Sequence, residues 1–191
     1  PRIMMCGRFS LKNKNEFKKK YGVDITPNYN ISPTSPVQVF TDKVSLLRWS
    51  YSPKWAKKSM NLHNARSETL FEKPSFSDIK KCVFIIDGWY EWKRENIKKI
   101  PYYHHLNNNL FNIAGIYNDI GCAIITRSAI GKAKTIHHRQ PVLLTDDETQ
   151  AWLNGGNLFD SKLSERVEIY KVSSYVNSPR NNGSKCIERI N

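Results

Sequence analysis

No stretch of this sequence approaches the roughly 18 consecutive apolar residues of a membrane-crossing helix, and the residues ahead of Cys6 are too few for a secretory signal. A location in the cytoplasm, associated with the nucleoid, is therefore expected, with no membrane partner. Cysteine is sparse and scattered. Cys6, Cys82, Cys122 and Cys186 form no CxxC pair and no His/Cys spacing of the zinc type, so reduced thiols are expected, with no metal and no cofactor. Acidic residues are in short supply: 17 Asp+Glu against 30 Lys+Arg leave a net charge of +13, which makes a polyanion, nucleic acid first, the expected partner. No repeat, low-complexity tract or linker divides the 191 residues, so one domain, a monomer with its own core, is expected over 1–191.

What is present reads as many short strands and few helices. Asn13 to Gly22 has an N-cap candidate, lysines toward the C-terminal half and a terminating glycine, with Phe17 and Tyr21 on one face. Pro27 to Pro36 is punctuated by proline and excluded from helix. Val37–Phe40 and Val44–Trp49 form a hairpin pattern. Asn64 to Thr69, leading into Leu70-Phe71, reads as a loop or strand end passing into a short helix that Pro74 stops. Cys82–Ile86 is a buried-strand run continuing into Asp87–Lys93, and Tyr102–His105, Phe111–Tyr117, Ala123–Thr126 and Val167–Val172 add strands. Thr145-Asp146-Asp147-Glu148 is a capping box that opens a helix ending near Gly155. The expected class is α+β: one β-rich domain with a largely antiparallel, barrel-like mixed sheet and a few flanking helices.

Chemistry concentrates at four places. Met5-Cys6-Gly7-Arg8-Phe9 sets a cysteine behind a candidate initiator methionine. Were Cys6 the first residue, its amine would condense with an aldehyde to an imine and its sulfur would add to the imine carbon, closing a thiazolidine ring. With residues 1–5 attached the nitrogen is an amide and this chemistry is blocked, so the reading expects that leader to be removed or non-native. The alternative for Cys6 is a buried, inert thiol. Glu91, with Asp87 and Trp89 on one strand face and flanked by aromatics, suits proton transfer near neutrality; an exposed strand-end glutamate is its alternative. In Thr135–Pro141, an imidazole of the His137-His138 pair suits proton exchange with a sugar hydroxyl and Arg139 suits a phosphate. Strand alternation would let only one of the two histidines face a site. Asn64 and Arg66, two apart, pair an amide with a guanidinium for a sugar-phosphate or for orienting the Cys6 amine.

Taken together, Met5–Phe9, Tyr29-Asn30-Ile31-Ser32-Pro33, Asn64–Thr69, Asp87–Trp92, His137–Pro141 and Val176-Asn177 occur in an order and over a span that resembles the SRAP (SOS response-associated peptidase) family. The resemblance implies a β-rich domain whose cationic cleft takes single-stranded DNA containing abasic sites, captured by the N-terminal cysteine as a thiazolidine. It implies catalytic roles for Cys6, for Asn64 in positioning the amine or ring, for Glu91 as acid/base and for His137 at the opened sugar. Arg8, Arg66 and Arg139 would contact phosphates, and Asn30, Pro33 and Trp92 complete the implied DNA-binding set. Two alternatives stand beside it: a thiol peptidase acting on its own leader, and a noncatalytic single-stranded nucleic-acid binding module. The chain departs from the family's pattern at Ser50-Tyr51-Ser52, at Gln140 and at Ile85.

Overall fold

The structure, a computed structural model, describes residues 6–70, 72 and 79–191. In chain order its elements are β1 (Phe9–Leu11), α1 (Lys14–Tyr21), β2 (Asn28–Ile31), β3 (Pro36–Phe40), β4 (Val44–Arg48) and β5 (Asn64–Arg66). Then come β6 (Lys80–Ile86), β7 (Gly88–Glu95), β8 (Lys98–His105), β9 (Phe111–Tyr117), β10 (Cys122–Ser128) and α2 (Gly131–Lys134). The last are β11 (Arg139–Pro141), β12 (Leu143–Leu144), α3 (Asp146–Leu153) and β13 (Glu168–Lys171). Pro74, Phe71 and the leader 1–5 lie outside the described residues.

Two sheets carry the molecule. One runs β13-β8-β7-β1-β2; the other runs β11-β10-β9-β6-β3-β4, with β12 paired to β9 and β5 to β10. Every pairing is antiparallel except β5 with β10, as expected for a largely antiparallel α+β domain. Neither sheet closes on itself, so the barrel-like form expected from the sequence is an open pair of sheets.

Asp87 explains why one apolar run becomes two strands in different sheets. It is buried between β6 and β7, its Oδ1 accepting from Ser10 Oγ (2.6 Å) and its Oδ2 from the amides of Lys12 (2.7 Å) and Asn13 (3.0 Å). These bonds tie β1 and the start of α1 to the switch between sheets. Asn13 therefore does not cap α1 with its side chain, which instead donates to the Asn108 carbonyl (2.6 Å). Gly88 follows because a Cβ there would lie 2.1 Å from the Tyr103 hydroxyl. The capping box of α3 forms as read, with Thr145 and Glu148 exchanging bonds of 3.2 and 2.9 Å.

Phe9, Trp49, Phe84, Trp89 and Phe111 fill the main core, Phe9 and Trp49 with ring centres 5.0 Å apart. Each such side chain contributes about 1.5–3 kcal/mol on burial. A separate cluster of Tyr90, Tyr103, Val172, Val176 and Cys186 covers the other face of β7 and β8 with the C-terminal segment. The departures from the family pattern are packed inside. Ser52 Oγ accepts from the Met60 amide (3.1 Å) and Ser50 Oγ donates to Asn61 (3.1 Å), while Gln140 bonds Ser164 (3.0 Å) and the Ile130 amide (3.1 Å).

Candidate active site

β1 and β7 are the elements that assemble the site. Phe9 pairs with Trp89, and the Tyr90 amide donates to the Arg8 carbonyl (3.0 Å), which carries the chain before β1 alongside Glu91. There Cys6, at φ 42°, turns its backbone nitrogen to Glu91 Oε1 at 2.8 Å. Glu91 Oε2 lies 4.0 Å from His137 Nδ1. Three residues separated by as much as 131 positions thus meet.

Electrostatics follow from burial. Glu91 is 2% exposed, and loss of solvent pushes its carboxyl up to about 8 against the opposing pull of the Cys6 N–H. At neutral pH it is therefore a carboxylic acid able to give a proton. Cys6 is 1% exposed, and burial, with Glu91 nearby, holds its thiol well above the usual range. The sulfur therefore rests as a thiol in this pocket. Burial also lowers His137, whose Nδ1 lies 3.1 Å from the Arg139 amide and 3.3 Å from the Arg139 carbonyl.

His137 and His138 are not on a strand, contrary to the alternation argument. They follow the α2 turn with their rings stacked, centres 4.5 Å apart. Arg139 is also placed otherwise than expected. It is 3% exposed, reaches past Thr126 Oγ1 (3.1 Å) and grips both Glu68 oxygens at 2.8 and 2.9 Å, so its fork is turned inward and not toward a phosphate. Glu68 lies in the 3₁₀ turn Ser67–Thr69 directly after β5. The pair therefore fastens the His137 segment to the segment that bears half-buried Asn64 and exposed Arg66.

Asn30 likewise faces inward. Its amide donates to the carbonyls of Val176 (3.0 Å), Ser178 (3.1 Å) and Asn181 (2.8 Å), and its oxygen accepts from Arg8 (3.0 Å). Arg8 also donates to the Val176 (2.7 Å) and Asn177 (2.8 Å) carbonyls, and Trp92 Nε1 to Asn177 Oδ1 (2.8 Å). Thus the segment after Ser173 forms a wall beside the site, a role the sequence pattern Val176-Asn177 marked without revealing. Pro33 stands half-buried in the turn after β2. His104 was missed altogether. It stacks on Trp89 (4.8 Å) and is held neutral, burial taking it down to about 3. A histidine inside an apolar strand pattern is the signal that would have found it.

Among the described residues no group of three or more His, Cys, Asp or Glu is placed to hold a metal ion, and no helix is long and apolar enough to cross a membrane.

Comparison with known proteins shows the family. Abasic site processing protein YoqW of Bacillus subtilis is 35% identical over 96% of this chain and 99% of its own length. Abasic site processing protein HMCES of Xenopus tropicalis is 27% identical over 86% of this chain and 66% of its own. A crystal structure of a protein from Bacteroides thetaiotaomicron, 24% identical, superposes over 97% of this chain and 100% of that one with a TM-score of 0.79, which shows the fold. The family model described as SOS response associated peptidase (SRAP) matches residues 5–179, and the chain belongs to that family.

Proposed function

We propose that this protein, in a form whose first residue is Cys6, captures abasic sites in single-stranded DNA covalently. The observation that carries the reading is the 2.8 Å contact between the Cys6 nitrogen and a buried, raised-pKa carboxyl. In a dry pocket the neutral pair of amine and carboxylic acid is favoured over the ion pair, so the nitrogen keeps its lone pair. The amine adds to the aldehyde carbon of the opened sugar. Glu91 protonates the departing hydroxyl, water leaves, and the nitrogen returns its proton to Glu91 as the imine forms. The Cys6 thiol then adds across the C=N bond, its proton passing through Glu91 to nitrogen, and the thiazolidine closes with one water lost overall.

His137, 4.0 Å from Glu91, is assigned to proton exchange with the sugar hydroxyl, and Asn64 to orienting the amine or ring. Arg66 and the surplus of basic residues supply salt-sensitive phosphate binding, and the exposed Trp55 offers a stacking face. Asn30, Arg139 and largely Arg8 act from within, by holding the walls. Names of the relatives as abasic site processing proteins support the substrate class. The test is an abasic single-stranded oligonucleotide mixed with protein whose Cys6 terminus has been verified by intact mass. An adduct that survives a denaturing gel is expected, and its absence rejects the proposal.

A second reading rests on the same contact. The nitrogen held by Glu91 is the leaving group if the Met5–Cys6 bond is cut. The Cys6 thiol would attack the Met5 carbonyl, the C–N bond would break as nitrogen takes a proton from Glu91, and water would hydrolyse the thioester. Intact mass decides it: a Glu91→Ala chain that sheds residues 1–5 as fast as the parent excludes self-cutting through this residue.

A further inference from the structure

The hairpin of β7 and β8 outruns the rest of its sheet. Its partner β1 pairs only as far as Trp89, and burial along β7 falls from complete at Gly88–Glu91 to exposed at Arg94 and Glu95, with β8 mirroring it. The register sets Glu91 opposite Tyr102, Lys93 opposite Ile100 and Glu95 opposite Lys98, all on the face that bears the catalytic carboxyl. That face therefore passes from the reacting groups to an overhanging ledge without a break.

Tyr102 is laid along this ledge. It faces Glu91 across the strands, yet its hydroxyl donates to Glu95 Oε1 at 3.1 Å, four residues further toward the tip. Four residues of strand span about 13 Å. The side chain therefore runs lengthwise from the register of Glu91 past that of Lys93 and Ile100 toward the tip, and stays half-exposed. A tethered aromatic plane beside the reacting sugar, edged by Lys93 and Lys98, has the chemistry of a seat for a nucleobase whose flanking phosphates meet the ammonium groups.

We infer that Tyr102 stacks on the base next to the abasic sugar and so sets the register of the DNA strand over Cys6. This deepens the proposed function and rests on it. It assigns the residue a positioning role, since Tyr102 touches the neighbouring base and not the reacting atoms.

The experiment uses protein beginning at Cys6 and oligonucleotides in which the base on one side of the reactive site, then the other, is replaced by tetrahydrofuran. Crosslinking rate is read with an aldehyde at the central site, and noncovalent Kd with tetrahydrofuran there. For the parent, removing one of the two neighbouring bases should weaken Kd by about 5- to 150-fold. Tyr102→Ala should show that loss with both bases present and then be indifferent to removing that base. Tyr102→Phe, which keeps the ring, should follow the parent closely, and it also reports whether position 102 tolerates change without unfolding. Equal Kd for Tyr102→Ala and parent on every oligonucleotide overturns the inference, as does an Ala loss that adds fully to the loss of either base. Because Kd is read without aldehyde chemistry, an absent adduct in the parent would reject covalent capture while leaving the stacking result to stand or fall by itself.

Discussion

Glu91 and Glu68 lie at opposite ends of the segment His137–Arg139, one 4.0 Å from the first imidazole, the other gripped by the guanidinium. They are the same side chain in one small region. Burial without a cation drives Glu91 up to about 8, whereas the Arg139 fork takes Glu68 down to about 2. The difference shows how this fold divides labour: a carboxyl kept from any guanidinium can carry a proton, and a carboxyl clasped by one can only hold structure.

The largest effect should come from Glu91→Gln, which removes the proton carrier but keeps the shape. Adduct formation near neutrality is expected to fall by about 100-fold or more, with thermal stability equal to the parent or higher. If Glu68→Gln slows capture as much, the contrast between the two carboxyls fails. Glu68→Gln should act on stability, lowering it by about 1–3 kcal/mol in denaturant titration because Arg139 loses its charged partner, the figure discounted for the partial exposure of Glu68. Replacing both, Glu68→Leu with Arg139→Met, should recover part of that loss.

A finer comparison is pH. Glu68 has a folded pKa below its ordinary 4.5, so its stabilisation is present above about 4.5 and lost as pH falls toward 2. Glu91 has a folded pKa above its ordinary value. Between about 4.5 and 8 the unfolded chain holds fewer protons than the folded one, so with Cys6 internal, stability declines as pH rises through that window. Glu91→Gln should flatten the upper decline and Glu68→Gln the lower one. A parent with no upper decline would contradict the raised carboxyl. The smallest expected change is that of Arg66→Gln, which should weaken DNA affinity similarly for all sequences and reduce the salt slope by about one.

Local periodicity made most of the strands and both eight-residue helices legible, though not β1, β11 or β12; that Cys6, Glu91 and His137 share one site was implied by the resemblance to the family and not by periodicity. The sequence did not show where charged groups point. In a chain with 30 Lys+Arg, Arg139 reads as a phosphate ligand, and only the path of the chain brings Glu68, 71 residues away, into its fork. Asn30 was misread for the same reason, its amide being committed to carbonyls about 150 positions downstream. The switch at Asp87 was hidden because a continuous β pattern does not say when the chain changes sheets.

The bonds from Arg8 to the carbonyls of Val176 and Asn177 span 168 and 169 residues, so the segment that bears Cys6 is clasped by one made far later. During synthesis the nitrogen and sulfur of Cys6 leave the ribosome 168 residues ahead of the wall that comes to stand beside them. Reactivity should therefore switch on late, leaving the nascent chain inert toward cellular aldehydes. A ribosome-stalled chain ending before Val176 that already captured abasic DNA at the rate of the finished protein would show the opposite.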